Sequence, residues 1–364
     1  MRIIKPLALA SGAIMIWSAW GLAQSDRPRL RPLDEQSTKA TTGLEVGTHI
    51  PDFEIMDLNR QRQTFDSLKG PRGLVLVFSR SADWCPFCKS QLADLNQQLD
   101  TFRKVGLTVA GLTYDSPEIL RSFAARVGIK YPLLSDPESK MIRAFGILNP
   151  NGERGSRYEG IPFPGIYIIN ERGIVIAKYF DDDYREPISA GSILTRAFGA
   201  SGVMRTGIQN AQLVLVYSAS DSVLVPGRRI TLIIDVVPQP KMHLYAPGVQ
   251  NYIPIDWQMG ASKSWIAFPP TYPPSHMLSL PAINETVPVY NSRIRMVRDI
   301  AIGLESEIAP VLSSNRTVTF DGSFRYQACD DTQCYLPKTL PLRWTFKVGQ
   351  LDDQRVPPEL QKYK

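Results

Sequence analysis

Four cysteines in 364 residues fall into two close pairs, Cys85 with Cys88 and Cys329 with Cys334. Two thiols separated by two residues suit thiol–disulfide exchange. The first attacks as a thiolate, and the second, one helical turn on, attacks the mixed disulfide that results. The motif Trp84-Cys85-Pro86-Phe87-Cys88 follows the apolar run Leu74–Phe78 and opens a stretch in which Leu92, Leu95, Leu99 and Phe102 recur at helical spacing. Cys85 is therefore expected at a helix N-terminus, where unpaired N–H groups and the macrodipole favour negative charge. Thiols so placed have pKa values about 1 to 5 units below the free value of about 8.5. Pro86 suits the first turn, where its missing N–H is no loss. An inert buried pair has no reason to follow a strand and cap a helix, and half of a zinc site would need nearby partners.

The elements that must position these sulfurs follow from the rest of the chain. Hydrophobic residues make up 43% and charged residues 21%, which excludes wholesale disorder and a polytopic membrane protein. Arg2 and Lys5 precede an apolar run, Leu7 to Ala23, that ends in small residues, so residues 1–23 read as a signal peptide. An uncleaved anchor is the alternative, although the run falls short of the roughly 20 residues that span a bilayer. Residues 24–42 form a flexible lead-in. Export, to a periplasm, would place the cysteines where disulfides persist. The net charge of +6 becomes 6 − 2 = +4 without the leader, and its scattered Lys and Arg residues argue against nucleic-acid binding. His49, His243 and His276 lie far apart, and no nicotinamide, flavin or metal motif occurs; no cofactor is expected.

The length fits two domains. Over 43–198, strand runs at Leu74–Phe78, Leu107–Tyr114, Ile166–Ile169 and Ile174–Ala177 alternate with helical patterns near Pro117–Val127 and Glu138–Phe145. That order predicts βαβ units and a mainly parallel sheet. Residues 199–206 read as a linker. Beyond it 16 of the 29 prolines lie after residue 225, which disfavours long helices. Short runs at Leu213–Tyr217, Ile230–Val236, Thr317–Phe320, Phe324–Tyr326 and Leu342–Val348 predict an antiparallel sandwich over 207–349, followed by a tail, 350–364.

Val46-Gly47-Thr48-His49-Ile50-Pro51-Asp52-Phe53, the Trp-Cys-Pro-Phe-Cys motif, Phe123 and Leu134-Ser135-Asp136 resemble the redoxin branch of the thioredoxin superfamily, which includes the AhpC/TSA peroxiredoxins and the secreted TlpA-type reductases. The likeness covers 43–198 and implies a thioredoxin-like α/β fold. It also implies a cis-proline facing the cysteines. Pro164, nine residues before Gly173, fits best and Pro162 competes. A cis-proline costs little and would expose the backbone of Phe163 to pair with an incoming peptide; an ordinary turn proline is the alternative. Trp84, Pro86, Phe163 and Pro164 are thus expected to position a substrate. Peroxide-reducing members resemble each other in a proline and a threonine seven and three positions before the reactive cysteine, where this chain has Phe78 and Ala82. Their arginine near the later strand is not evident in Pro164-Gly165-Ile166. Without a hydroxyl and a guanidinium to polarise the O–O bond, the site reads as a dithiol exchanger.

Between Cys329 and Cys334, four polar residues suit a hairpin tip that brings the sulfurs within bonding range. A structural staple and an exchange site both fit; so short a loop gains less than the roughly 3 kcal/mol estimated for about 15 residues. Tyr326-Gln327-Ala328-Cys329 with Cys334-Tyr335-Leu336-Pro337, and His243-Leu244-Tyr245-Ala246-Pro247-Gly248, resemble the N-terminal domain of the disulfide-interchange reductase DsbD and the related disulfide bond corrector (DsbC-like) domain. The resemblance implies an immunoglobulin-like sandwich whose cysteine pair, here Cys329 and Cys334, passes electrons to thioredoxin-like partners. A neighbouring aromatic, Tyr245, Tyr335 or another, would shield it, with His243 structural. Joined in one chain, the two halves imply an exported thiol–disulfide oxidoreductase. Cys329–Cys334 would relay electrons to or from Cys85–Cys88, tethering would raise their effective concentration, and protein thiols, protein disulfides and an external thioredoxin- or DsbD-type donor or acceptor would be the partners. A thiol peroxidase with Cys85 oxidised and Cys88 resolving, and a non-catalytic module with structural disulfides, are the alternatives.

Overall fold

The computed structural model describes residues 42–180, 184–280 and 284–361. The expected signal peptide, 1–23, and the expected lead-in up to residue 41 lie outside the described residues. The first half contains β1 (Ile55–Asp57), β2 (Arg62–Gln63), α1 (Phe65–Leu68), β3 (Gly73–Phe78), α2 (Pro86–Gln97), α3 (Leu99–Lys104), β4 (Leu107–Thr113), α4 (Pro117–Val127), β5 (Leu133–Ser135), α5 (Lys140–Ala144), β6 (Gly165–Ile169), β7 (Val175–Phe180) and α6 (Ala190–Phe198). The seven strands form one sheet in the order β2-β1-β5-β4-β3-β6-β7. Between β4 and β6, β3 is buried along its whole length. Val75 and Val77 face Leu92, Leu95, Phe123 and Ile193 of the helices on one side. Leu74, Leu76 and Phe78, with the neighbouring Tyr167 of the sheet, face Ile142 and Phe145 on the other. A strand covered on both faces reads as an unbroken apolar run, because both sides of its pleat are interior.

The sheet and its first long helical run differ from expectation. The sheet is mixed, not mainly parallel: only β3–β4 and β4–β5 run parallel among its six pairings. Those two pairs are joined by helical crossovers, whereas short turns join β1 to β2 and β6 to β7 and force antiparallel pairing. The periodic run from Leu92 to Phe102 is two helices, because Gln98 closes α2 with a bond to Leu95 and starts α3.

The second half is rich in sheet. β8 (Val203–Gln209), β9 (Leu213–Ala219), β10 (Val223–Leu224), β11 (Arg229–Pro238), β12 (His243–Tyr245), β13 (Asp256–Met259), β14 (Trp265–Ala267), β15 (His276–Leu280), β16 (Glu285–Tyr290), β17 (Ile294–Ile302), α7 (Glu305–Ile308), β18 (Thr317–Tyr326), β19 (Ala328–Cys329) and β20 (Lys338–Val348) follow in order. A five-stranded sheet, β14-β17-β11-β9-β8, and a four-stranded one, β10-β20-β18-β13, enclose one core that includes Leu232, Ile234, Met296, Phe320, Trp344 and Phe346. A small sheet, β15-β16-β12-β19, carries Cys329. β8 pairs with β9 from Val203 onward, so the strand takes over the last residues of the expected 199–206 linker and leaves a short connection after Gly199. The halves are fastened by ion pairs, Arg228 to Asp94 at 3.0 Å and Arg196 to Asp299 at 2.8 Å. The tail after β20 returns to the first half, where Val356 is buried.

Candidate redox site

The loop from Ser79 to Trp84 is held by the end of β4. Asp115, just beyond that strand, accepts hydrogen bonds from the Ser81 hydroxyl (2.9 Å), the Ala82 N–H (2.6 Å) and the Thr113 hydroxyl (2.9 Å). Burial raises the Asp115 carboxyl to about 6, and the hydrogen bonds from Ala82, Thr113 and Ser81 pull the other way. Ala82 is fully buried, so a methyl group lies where the resemblance has a hydroxyl. Beyond this anchored loop Cys85 takes an extended conformation as the N-cap of α2, with Pro86 in the first turn. Its Sγ accepts the Cys88 N–H at 3.3 Å, and Cys85 and Cys88 form a disulfide. The two residues are 1% and 4% exposed. Trp84 donates its indole N–H to the Tyr114 hydroxyl (2.8 Å), which donates to the Arg157 carbonyl (2.8 Å). The Arg80 guanidinium lies over the rings of Tyr184 (4.0 Å) and Trp84 (4.9 Å), where cation–π attraction holds it.

Pro164 does lie beside the cysteines. It lines a narrow cleft with Phe87, Cys88, Tyr179, Tyr184 and Pro187. The expected cis bond is corrected, since no described peptide bond is cis. Pro162 pairs as a β-bridge with Leu148, the Phe163 N–H donates to the Ile147 carbonyl at 2.7 Å, and the chain runs directly into β6 at Gly165. An extended trans path is what strand entry from this bridge requires, and it leaves the Phe163 N–H already paired.

The second pair sits at the predicted hairpin tip. Cys329 and Cys334 are bonded and face each other across an isolated bridge, and Tyr335 N–H donates to the Ala328 carbonyl at 2.9 Å. The Asp330 carboxylate ties the turn, accepting from the Thr332 hydroxyl (2.6 Å), the Thr332 and Gln333 N–H groups and the Tyr335 hydroxyl. These bonds, the Thr332 hydroxyl first, hold it well below the usual carboxylate range. Of the aromatics considered for shielding, Tyr245 is the one on the sulfurs, its hydroxyl 3.2 Å from Cys329 Sγ and 3.5 Å from Cys334 Sγ. Tyr252, which sequence reasoning missed, stacks on it at 4.3 Å and donates to Glu285. Burial, with Tyr252 and Glu285 nearby, pushes Tyr245 up to about 12. His243 pairs across from Cys329 in the strand register, and burial lowers its pKa.

The two disulfides are not brought together. β20 ends at Val348 beside Leu224, on the side that abuts the first half, and starts at Lys338 opposite Tyr326, beside Cys329. The ten residues of β18 separate those ends by roughly 30 Å at about 3.3 Å per residue. Exchange needs sulfurs in contact, so the direct relay within one molecule is not available in this arrangement.

The sequence pattern of the AhpC/TSA family matches residues 46–178. A candidate peroxiredoxin of Mycobacterium tuberculosis is 31% identical over 140 residues, which is 87% of that protein and 38% of this chain. The chain belongs to the AhpC/TSA family. Peroxiredoxin Bcp of Escherichia coli is 29% identical to this redoxin domain over 118 residues, covering 74% of that protein and 32% of this chain. The crystal structure of peroxidoxin BcpB from Mycobacterium tuberculosis aligns with a TM-score of 0.34 and 21% identity, over 88% of that chain and 39% of this one. These relatives support a thiol-based redox activity for the redoxin domain, the part of the chain that holds Cys85 and Cys88.

Proposed function

We propose that the redoxin domain is a two-cysteine thiol peroxidase. The observation that carries this reading is the closed surroundings of the sulfurs. Both are buried, the cleft beside Cys88 is narrow, and the Phe163 N–H that a peptide substrate would pair with is engaged by Ile147. A hydroperoxide of a few atoms fits such a site better than a protein disulfide, whose sulfur must approach in line. The Cys85 thiolate attacks the terminal peroxide oxygen, the O–O bond breaks to leave the sulfenic acid on Cys85, and the departing alkoxide or hydroxide takes a proton from solvent. The sulfenic acid on Cys85 then condenses with the Cys88 thiol, releasing water and forming the disulfide. An external dithiol returns the two electrons. Ala82 and Phe78 leave the peroxide without side-chain polarisation at those positions, so a slower enzyme than a threonine- and arginine-bearing site is expected.

Disulfide exchange is the second reading, favoured by the second cysteine pair. Tyr245 against both sulfurs and the exposed hairpin tip support a DsbD-like, immunoglobulin-type domain that trades electrons with external thioredoxin-like proteins. Export through the leader at 1–23 belongs to this proposal.

Peroxide consumption with dithiothreitol as reductant tests the choice, run beside insulin reduction. Wild type should consume hydrogen peroxide, Cys85→Ser should fall to the uncatalysed background, and Cys329→Ser should match wild type. In Cys88→Ser the sulfenic acid on Cys85 should persist and be trapped by dimedone in a mass spectrum. Insulin reduction by wild type, with no peroxide turnover, would reverse the order of the two readings.

A further inference from the structure

We propose that residues 350–361 form a gate that limits the oxidant reaching Cys85 to small molecules, an inference that rests on the redoxin domain being the catalytic one. After β20 the chain crosses back and lies along both flanks of Cys85. The Arg355 guanidinium clasps Asp83, with Nε 3.2 Å from each carboxylate oxygen, and the Val356 N–H donates to the same carboxylate at 3.0 Å. Asp83 stands two residues before Cys85. Lys89, one turn after it, donates from Nζ to the Gln354 carbonyl at 2.8 Å and lies 3.8 Å from Asp352, which also takes Arg126 at 2.6 Å.

Asp83 is 2% exposed and Lys89 1% exposed. Their charges are compensated by groups of this strap: Arg355 and the Val356 N–H for Asp83, and the Gln354 carbonyl and Asp352 for Lys89. An uncompensated buried charge is strongly unfavourable, so the redoxin domain carries a seat built for this segment. Val356 is buried in the same contact. On the third side the second half closes in at Gly227, where a Cβ would come within 3.1 Å of Phe87. The seated strap thus engages Asp83 and Lys89, the residues on either side of Cys85 along the chain, and the cleft at Cys88 and Pro164 remains. Release of the strap uncovers the face that a protein disulfide needs.

The test uses the full chain carrying Asp352→Asn with Arg355→Gln, assayed with hydrogen peroxide and with insulin, dithiothreitol being the reductant. We expect insulin reduction to rise at least tenfold while peroxide consumption stays within twofold of wild type. Because the double variant could lose stability, a chain ending at Gly349 is assayed with and without a synthetic peptide of residues 350–361. The peptide should return insulin reduction to the wild-type level. Insulin rates that match wild type in both altered chains, with proteolysis confirming a freed tail, overturn the gate. A gain in insulin reduction in a protein without peroxide turnover upholds the gate and overturns the peroxidase reading.

Discussion

At the scale of single residues, Cys85 owes its place to a carboxylate that is not near it in sequence. Asp115 binds the loop that leads into the motif, and it does so while buried, with its carboxyl raised to about 6. Between the unfolded value of 3.8 and about 6 the folded state holds a proton that the unfolded state has released, so stability falls as pH rises through this window. Across that window the loss is on the order of a few kcal/mol. Asp115→Asn should flatten that slope in urea titrations between pH 4 and 6.5, apart from the share that Asp221 adds, whose carboxyl burial also raises to about 6. A slope equal to that of wild type would show that Asp115 does not titrate there.

Among the elements, α2 has to hold Cys85 beyond the C-terminal end of β3. It does so by laying Leu92 and Leu95 on the side of β3 that presents Val75 and Val77. Leu92 meets β4 at Gly111, where a Cβ would come within 2.9 Å of the Leu92 side chain. The absent side chain at Gly111 is what lets helix and strand approach. Leu92→Ala would open a cavity at this contact, and loss of about 2 to 5 kcal/mol is expected from chemical denaturation. A loss below about 1 kcal/mol would mean that the helix is held chiefly by its caps and by the strap.

For the molecule as a whole, the two halves are joined by charges as much as by chain. Asp299, fully buried in β17, accepts Arg196 of α6 through Nε (3.0 Å) and Nη2 (2.8 Å), together with the Thr231 hydroxyl (2.8 Å). Arg196→Ala would leave that carboxylate without its cation, a change that costs about 3 to 5 kcal/mol when the partner is buried. Calorimetry should then show the halves melting apart, with one joint transition expected for wild type. A single unchanged transition would assign the joint to Arg228, Asp94 and the strap. This arrangement also decides the relay question, because the same contacts that fasten the halves keep the second disulfide at the far end of its sheets.

Features that depend on near neighbours could be read directly from residue order. The two cysteine pairs, the helix start at Cys85, the hairpin tip at Cys329–Cys334 and most strands were legible because each depends on neighbours within a few residues, through capping, periodicity or turn chemistry. The conformation at Pro164, the mixed direction of the sheet, Tyr245 over the second disulfide and the return of Arg355 to Asp83 were decided only by the tertiary structure. Each of these joins segments far apart along the chain, 272 residues in the case of Arg355 and Asp83. Contacts at such separation are selected by burial and charge compensation in the folded state, and no local pattern of residue types encodes which distant partner will fill a given seat.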